Sequence, residues 1–174
     1  MPKLVLPDLL YKKSFFEAFA EYLNEETPPP HYLETRAFFE EDNLEGYIQR
    51  ARDGRQGKNL PNGYVPWTDY WLVEGNHFLG HLSFRHELSD WLKRIGGHIG
   101  YDIRPSERGK GYGSLILKLG LEKAKELGLE NVLITCQVGN TASKKIIEKN
   151  GGVLEKINPG ENGEKDIQLF WIKV

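Results

Sequence analysis

A glycine-rich segment is the part of this sequence best suited to chemistry. Residues 104–114 read RPSERGKGYGS, in which three glycines alternate with other residues after a proline and two arginines. Successive backbone N–H groups in such a turn at a helix N-terminus form a concave set of donors, and the helix dipole adds partial positive charge. Glycine lets phosphate oxygens approach because it has no Cβ. The segment therefore predicts a phosphate site, to which Arg108 and Lys110 would add positive charge.

The glycine spacing excludes two common phosphate-binding loops. The dinucleotide fingerprint requires G-x-G-x-x-G, and the ATP-type loop requires G-x-x-x-x-G-K followed by Ser or Thr. Here Gly109, Gly111 and Gly113 alternate, and none of them is followed by Lys and then Ser or Thr. The pattern that remains is R-x-x-G-x-G, starting at Arg108, which by itself would also suit an exposed surface loop.

The sequence around this loop predicts a strand before it, and a helix and then a buried strand after it. HIGYDIR reads as the strand before the loop, and a helix runs from about Tyr112 to Leu127, with Gly128 as its C-cap. The next run, NVLITCQV, is almost continuously apolar, which is typical of a central strand beside a parallel neighbour. Asn140 begins a short helix that ends at Gly151, and the strands VLEKI and DIQLFWIKV follow.

The first third of the chain shows helical patterns instead. Asp8 can cap a helix whose apolar stripe runs from Tyr11 to Tyr22, and the residues DNLE from Asp42 resemble the capping box of a second helix that ends near Gly54. From residue 68 two β-rich runs form a predicted hairpin. The order is thus two helices, an antiparallel meander, a βαβ crossover, a short helix and a final hairpin, which indicates an α/β fold.

Composition narrows the function classes. With 174 residues the chain is expected to form one domain, and a net charge of −2 with a pI near 6.2 argues against nucleic-acid binding. Cys136 is the only cysteine and reads most simply as a buried thiol in a reducing compartment, with a catalytic cysteine as the alternative. No apolar run approaches the ~20 residues of a membrane span, so we expect no membrane association and a cytoplasmic protein.

Two segments together resemble a known family. GYDIRPSERGKGYGSLIL resembles the acyl-coenzyme A binding segment of the GNAT N-acetyltransferase superfamily, and NTASKKIIEKNGG is similar to that family's second signature. The resemblance covers roughly residues 68–174. It implies an α/β fold with a mixed, mostly antiparallel central sheet, a splayed parallel strand pair and flanking helices, as a single domain over residues 1–174.

The resemblance also implies a coenzyme site, with acetyl-CoA as the co-substrate and no metal. The pyrophosphate would lie on the backbone amides of the loop and the following helix start, at Arg108, Gly109, Lys110, Gly111, Tyr112, Gly113 and Ser114. The pantetheine arm would fill the gap between the splayed strands, where the N–H of Ile103 would hold the thioester carbonyl oxygen. Asn140 and Ser143 match positions that reach this arm, although both also suit a helix N-cap and first turn.

Acetyl transfer to an amine needs a proton acceptor, because a lysine-like ammonium is neutral only about once in ~10³ at pH 7. His98 is the predicted base, since it opens the strand that leads to the loop, although it equally suits a structural place in the sheet. Weaker alternatives on neighbouring strands are Glu74, His81 and Glu87. The spacing of His77, His81 and His86 is too irregular to indicate a metal site.

The chain departs from the family at one catalytic position. Many members carry a tyrosine in the second signature that protonates the leaving thiolate, and the alignment of Asn140 and Ser143 places Ile147 there. Tyr101, Tyr112 or Ser143 could donate instead, or the thiolate could leave unassisted. This departure motivates an alternative hypothesis, an inactive acyl-CoA sensor of the same fold, and a nucleotide-binding protein is a third.

The acceptor is expected to be a primary amine of a small molecule or a peptide. Its pocket would be formed by the N-terminal helices, the loop over residues 55–67 and the turn over residues 89–97. Aromatic residues could line this pocket, and acidic residues could attract a cationic amine to it. These residues are Trp67, Tyr70 and Trp91, and Glu40, Glu41 and Asp42. The aromatic C-terminal strand LFWIKV could contribute to a homodimer or simply close the sheet.

Overall fold

The computed structural model describes residues 1–160 and 163–174 as an α/β arrangement. Its strands in chain order are β1 (Lys3–Val5), β2 (Trp67–Glu74), β3 (His77–Arg85), β4 (Ile99–Ile103), β5 (Asn131–Gln137), β6 (Val153–Asn158) and β7 (Ile167–Lys173). Its α-helices are α1 (Lys12–Leu23), α2 (Pro30–Glu34), α3 (Arg36–Glu40), α4 (Leu44–Gln56), α5 (Tyr112–Glu126) and α6 (Thr141–Lys149).

The N-terminal helices differ in detail from the sequence prediction. The Asp8 carboxylate accepts a hydrogen bond from the N–H of Leu10 at 2.8 Å, but this caps a short 3₁₀ turn that leads into α1. Asn43, and not Asp42, caps α4, because its Oδ1 accepts from the N–H of Gly46 at 2.9 Å. Pro30 begins α2, since proline suits the first turn of a helix.

The strands form two antiparallel sheets. One has the order β1-β2-β3-β4 and the other the order β5-β7-β6. The prediction of a parallel ladder beside β5 is wrong for the described residues, because β5 pairs with β7 alone and a single bridge, between Gly97 and Ile134, connects the two sheets.

The four-stranded sheet is covered on both faces, because neighbouring residues of each strand point to opposite sides. Trp71 packs among the aromatic residues of α1, α2 and α4, whereas Leu72 packs with Leu82 and Phe84 against α5. The N-terminal helices and α5 therefore lie on opposite faces of the strands β2, β3 and β4.

No helix of the described residues is long and apolar enough to cross a membrane.

Strands β4 and β5 form no ladder with each other among the described residues, and the one bridge between their segments, Gly97 with Ile134, is antiparallel. At their start the N–H of His98 donates to the carbonyl of Leu133 at 2.7 Å. Farther along β4, the side chain of Tyr101 is needed to reach across, with its hydroxyl 3.2 Å from the hydroxyl of Ser143 at the start of α6. A gap thus separates the two strands beside the glycine-rich loop, but no parallel pairing between them is present in the described residues.

Candidate active site

The loop that precedes α5 leaves open space above its backbone. Gly109 and Gly111 have φ values of 79° and 90°, in the left-handed region that favours glycine. A Cβ added at either residue would meet no other heavy atom within 4 Å. The first N–H groups of α5 have no intrahelical partners and carry the positive end of the helix dipole. The loop can therefore receive an anion on its backbone.

Two predicted loop residues have structural partners of their own. A Cβ at Gly113 would lie 2.6 Å from the Cδ1 of Ile146, so this glycine permits the close packing of α5 against α6. The amide Nδ2 of Asn150 donates to the hydroxyl oxygen of Ser114 at 3.3 Å. The backbone of both residues remains part of the helix start, but the side chain of Ser114 is directed to α6.

The two cations of the loop are paired with carboxylates. The guanidinium of Arg108 binds both carboxylate oxygens of Glu25, and its Nε donates to the carbonyl of Ile103 at 3.0 Å. The hydrogen bond to Glu25 raises the pKa of Arg108. The ammonium of Lys110 lies 2.8 Å from the Oε2 of Glu107. A phosphate on this loop would therefore share these cations with two carboxylates at its rim.

The open edge of β4 presents backbone groups to the gap. The N–H of Arg85 donates to the carbonyl of His98, and the N–H of Arg104 donates to the carbonyl of Leu79, so the even-numbered residues of β4 bond to β3. In an antiparallel ladder the alternate residues direct their N–H and C=O groups the other way. Tyr101 and Ile103 therefore direct theirs toward the gap between β4 and β5.

Side chains from α6 and β4 meet across this gap. The Oδ1 of Asn140 accepts from the N–H of Ser143 at 3.0 Å, which makes Asn140 the N-cap of α6 and leaves the Ser143 hydroxyl to Tyr101. Burial raises the pKa of Tyr101 to about 12, so its hydroxyl keeps its proton at neutral pH. Ile147 is fully buried in the core. Two of the three alternative donors therefore lie together, while the residue in place of the family's tyrosine packs in the core.

His98 lies at the junction of the two sheets. Its Nδ1 accepts from the N–H of Leu133 at 2.9 Å, its ring is buried, and its centroid is 6.4 Å from that of Trp171. Burial lowers the pKa of His98 to about 4, which favours the neutral ring that this hydrogen bond requires. The geometry therefore gives His98 the structural place that the sequence left open and does not direct it to an acceptor.

A cavity of about 570 Å³ lies next to the gap, on the face of β2, β3 and β4 that the N-terminal helices cover. Tyr64, Trp67 and Trp91 form aromatic walls, and the segment after α1 closes one side. The volume is within the range of small-molecule sites. Two of the three aromatic residues expected at the pocket thus line the cavity, while Tyr70 packs with the core on the opposite face.

The other acidic candidates lie outside the cavity lining. Glu74 pairs with the N-terminal amine at 3.1 Å, and Glu87 is exposed. Glu40 pairs with Arg36, Asp42 pairs with Lys12, and Glu41 is exposed. The acidic run before α4 therefore belongs to the helix surface and not to this pocket.

Three charged residues from neighbouring strands form the floor of the cavity, Asp69 on β2, His81 on β3 and Asp102 on β4. The Nε2 of His81 lies 3.0 Å from the Oδ1 of Asp69, and its Nδ1 lies 3.5 Å from the Oδ2 of Asp102. The hydroxyl of Tyr32 donates to the Oδ1 of Asp102 at 2.8 Å. Asp102 is the most accessible member, with 17% of its side chain exposed against 3% for His81.

This acid cluster, Asp69–His81–Asp102, carries a net negative charge. Burial opposes protonation of His81, but the hydrogen bonds and charges of Asp102 and Asp69 outweigh it and raise the pKa of His81 to about 9. Burial likewise opposes ionisation of the two carboxylates, yet His81 holds both of their pKa values below the usual range. At neutral pH the cluster therefore contains two carboxylates and one imidazolium.

His31 completes the environment of this cluster without adding charge. Its ring stacks on that of His81 with centroids 4.1 Å apart, and its Nε2 lies 3.1 Å from the hydroxyl of Tyr47. Burial, together with the charge of His81, lowers the pKa of His31 to about 3. His31 is therefore a neutral ring above an imidazolium, and it leaves the net charge of the acid cluster unchanged.

The acid cluster predicts a loss of stability in mild alkali. The folded pKa of His81, about 9, exceeds the ~6.5 of an unfolded histidine, so its contribution is complete below pH ~6.5 and is lost as the pH rises through 9. We expect the free energy of unfolding in urea to fall by on the order of 1–3 kcal/mol between pH 6.5 and pH 9.5. The His81→Gln variant should lack most of this fall, and an equal fall in the variant would contradict the assignment.

Sequence reasoning missed most of this cluster. His81 was only a weaker alternative, and Asp69, Asp102 and Tyr32 were not singled out. A signal was present in the strands themselves, because TDYW, GHLS and YDIR each place a charged residue inside an otherwise apolar run. Buried charges are rare unless they are paired, so three of them on neighbouring strands suggest a shared site.

Similarity to known proteins is found in a family model and in solved structures. Residues 12–153 match the family model of the acetyltransferase (GNAT) domain. No curated protein sequence matches the chain significantly. Several solved structures have the same fold, and each of those described below aligns over 99% of this chain.

One is RimL, a ribosomal alpha-N-protein acetyltransferase in complex with coenzyme A, with a TM-score of 0.71, 21% identity and 94% of its own chain covered. Another is the microcin self-immunity acetyltransferase MccE in complex with acetyl-CoA and AMP, with a TM-score of 0.69, 18% identity and 92% covered. A third is a chimera of spermidine N-acetyltransferase SpeG from Vibrio cholerae with hSSAT, with a TM-score of 0.65, 17% identity and 95% covered. At these identities the likeness shows the fold alone.

Proposed function

This chain belongs to the GNAT acetyltransferase family, and we propose that it transfers the acetyl group of acetyl-CoA to a primary amine by direct attack in a ternary complex. The observation that carries the proposal is the double role of β4. Its edge directs the backbone of Tyr101 and Ile103 into the gap, while the side chain of Asp102 enters the cavity. One short strand therefore joins a place for the donor to a place for the acceptor.

The coenzyme would supply an activated acetyl thioester, and this chain supplies a cradle for it. The backbone N–H groups from Gly109 to Ser114, at the start of α5, would hold the pyrophosphate, since the space above Gly109 and Gly111 is open. The N–H of Arg108, also expected at this site, already donates to the carbonyl of Pro105 at 3.3 Å. The edge of β4 that faces the gap would bind the amides of the arm as an added strand would, although its Ile103 carbonyl already accepts from the Nε of Arg108. The N–H of Ile103 would stabilise the charge that develops on the carbonyl oxygen.

The acid cluster would bind the acceptor and take its proton. Asp102 is the accessible carboxylate, so it would contact the ammonium, whereas His81 lies behind it. The pKa of His81, about 9, is close to that of an aliphatic amine, and such a match favours proton transfer between them. We therefore propose His81 in its neutral form as the proton acceptor in place of His98, with kcat/KM rising toward pH 9.

The gap also offers a proton to the leaving thiolate. The Tyr101 hydroxyl stays protonated at neutral pH, and its contact with the Ser143 hydroxyl places both groups between β4 and α6. The capping role of Asn140 holds the first turn of α6 in position for this contact. We propose Tyr101 as the donor, in place of the tyrosine that Ile147 replaces.

The test is release of free thiol from acetyl-CoA in the presence of a panel of amines. We expect thiol release that depends on the amine and increases from pH 7 toward pH 9. In the same assay Tyr101→Phe should lower kcat without changing the affinity for acetyl-CoA. Binding of acetyl-CoA without thiol release for any amine would favour a sensor, and no binding at all would remove the proposed function.

A further inference from the structure

A second charged end of the cavity is formed by Arg85, the last residue of β3. Its side chain lines the cavity and lies over Gly100, where an added Cβ would be 3.4 Å from its Nη2. The Nη1 donates to the carbonyls of Gly96 and Gly97 at 3.1 Å and 3.3 Å. The guanidinium is therefore held in place by neutral acceptors on one side only.

In residues 1–160 and 163–174, which the structure describes, no carboxylate lies within 4.0 Å of the Arg85 guanidinium, and Asp69 acts on it only as a more distant charge. The other arginine of the cavity, Arg50, has one, because its Nη2 lies 3.6 Å from the Oε2 of Glu34. A largely buried guanidinium has lost part of its hydration, and without a close carboxylate this free-energy cost is not fully compensated. An incoming anion would offset the remainder. The contrast between the two arginines marks Arg85 as the cation that is available to a ligand.

The acid cluster stands at the other end of the same floor. Gly100, beneath the guanidinium, and Asp102 are two residues apart on β4, which corresponds to about 7 Å. Charge-assisted hydrogen bonds are about 2.8 Å long, so a short molecule with opposite charges can contact both ends. The cavity therefore separates a negative end from a positive end by the length of a small zwitterion.

We propose, on the basis of the proposed function, that the acceptor is a free amino acid, whose carboxylate binds Arg85 while its amine lies at Asp102. Arginine is suited to a carboxylate because its planar fork can donate two parallel hydrogen bonds. The aromatic walls formed by Tyr64, Trp67 and Trp91 favour an apolar side chain. The reaction breaks the thioester C–S bond and forms an N-acetyl amide. The ammonium gives one proton to neutral His81, and its second proton leaves with coenzyme A as the thiol, by way of Tyr101.

This charge arrangement disfavours two other classes of acceptor. A polyamine would place a second ammonium near Arg85, where like charges repel. The N-terminus of a folded protein carries no carboxylate next to its amine, so it would leave the guanidinium unpaired. Both classes are therefore expected to be poorer substrates than amino acids of similar size.

The test compares each amino acid with the amine that remains when its carboxylate is removed, for example phenylalanine with phenethylamine. We expect kcat/KM of the unmodified protein, from thiol release, to be at least about tenfold higher for the amino acid. The Arg85→Gln variant should lower this ratio by about 10- to 100-fold, and Arg85→Lys should restore part of it. Arg50→Gln is the matched control, because its arginine is already paired, and it should keep the ratio.

Each outcome separates this inference from the proposed function. If Arg85 only holds the carbonyls of Gly96 and Gly97, its loss lowers both rates equally, and the unchanged ratio overturns the inference. Faster acetylation of phenethylamine or spermidine than of any amino acid overturns it while the proposed function stands. If acetyl-CoA binds but no amine reacts, calorimetry of the coenzyme A complex decides, and absence of amino-acid binding overturns the inference.

Discussion

Replacement of Gly111 by glutamate is expected to abolish measurable acetyl-CoA binding, with Kd raised by more than about 100-fold. The added side chain would occupy the open space above the loop and bring a negative charge to the N-terminus of α5. It would displace a phosphate from several charge-assisted hydrogen bonds, each worth about 1.5–3 kcal/mol. Calorimetric titration with acetyl-CoA measures this change directly.

The control must reproduce the backbone strain of this variant, because the φ of Gly111 is 90°. Gly128→Glu does so at the other end of the same helix, where φ is 81° and an added Cβ would also meet nothing within 4 Å. We expect it to leave Kd unchanged. Gly111→Ala adds strain without the charge and should have an intermediate effect. Equal affinity of the Gly111→Glu variant and the unmodified protein would exclude the loop as the coenzyme site.

Replacement of Asp102 by asparagine is expected to lower kcat/KM for the amine by about 100-fold at pH 7.5. The amide keeps the size of the carboxylate and can still accept from the hydroxyl of Tyr32, so the strand should stay in place. It removes the accessible negative charge that would contact the ammonium and leaves His81 with Asp69 as its one carboxylate partner. The affinity for acetyl-CoA should not change.

The pH profile distinguishes this role from a structural one. Because Asp102 helps to raise the pKa of His81, its loss should shift the rise of kcat/KM with pH to lower pH values. A variant that is merely less stable would lose activity without this shift. Asp90→Asn is the matched control, since that carboxylate is fully exposed on the turn after β3. A kcat/KM within twofold of the unmodified protein would remove Asp102 from the proposed mechanism.

The sequence predicted the family and the loop because both depend on consecutive residues. Alternating glycines between a strand and a helix specify the loop, and this loop lies at the N-terminus of α5 as expected. The family match over residues 12–153 confirms the resemblance that the two signatures indicated. Local errors were small, such as the cap of α4 at Asn43 instead of Asp42, because neighbouring residues of similar chemistry compete for one capping position.

The choice between His98 and His81 could not be made from the sequence. Both histidines lie in or next to a strand. From the sequence, the side chain of each could point to either face of the sheet or lie at the junction of the two sheets. In the folded chain His98 is bonded to the neighbouring strand β5, whereas His81 points into the cavity. Proximity to the loop along the chain favoured His98, but strand pairing brings residues together that are far apart in sequence.

The sequence by itself thus determined the glycine-rich loop, the order of the elements and the family, since these follow from local patterns and their spacing. Only the tertiary structure decided which charged side chains lie together in the cavity proposed for the acceptor. Asp69, His81 and Asp102 meet because the register of three strands places them on one face of one sheet. Register depends on pairing across the whole sheet, and the hydrogen bonds and charges of Asp102 and Asp69, which outweigh the opposing effect of burial, raise the pKa of His81.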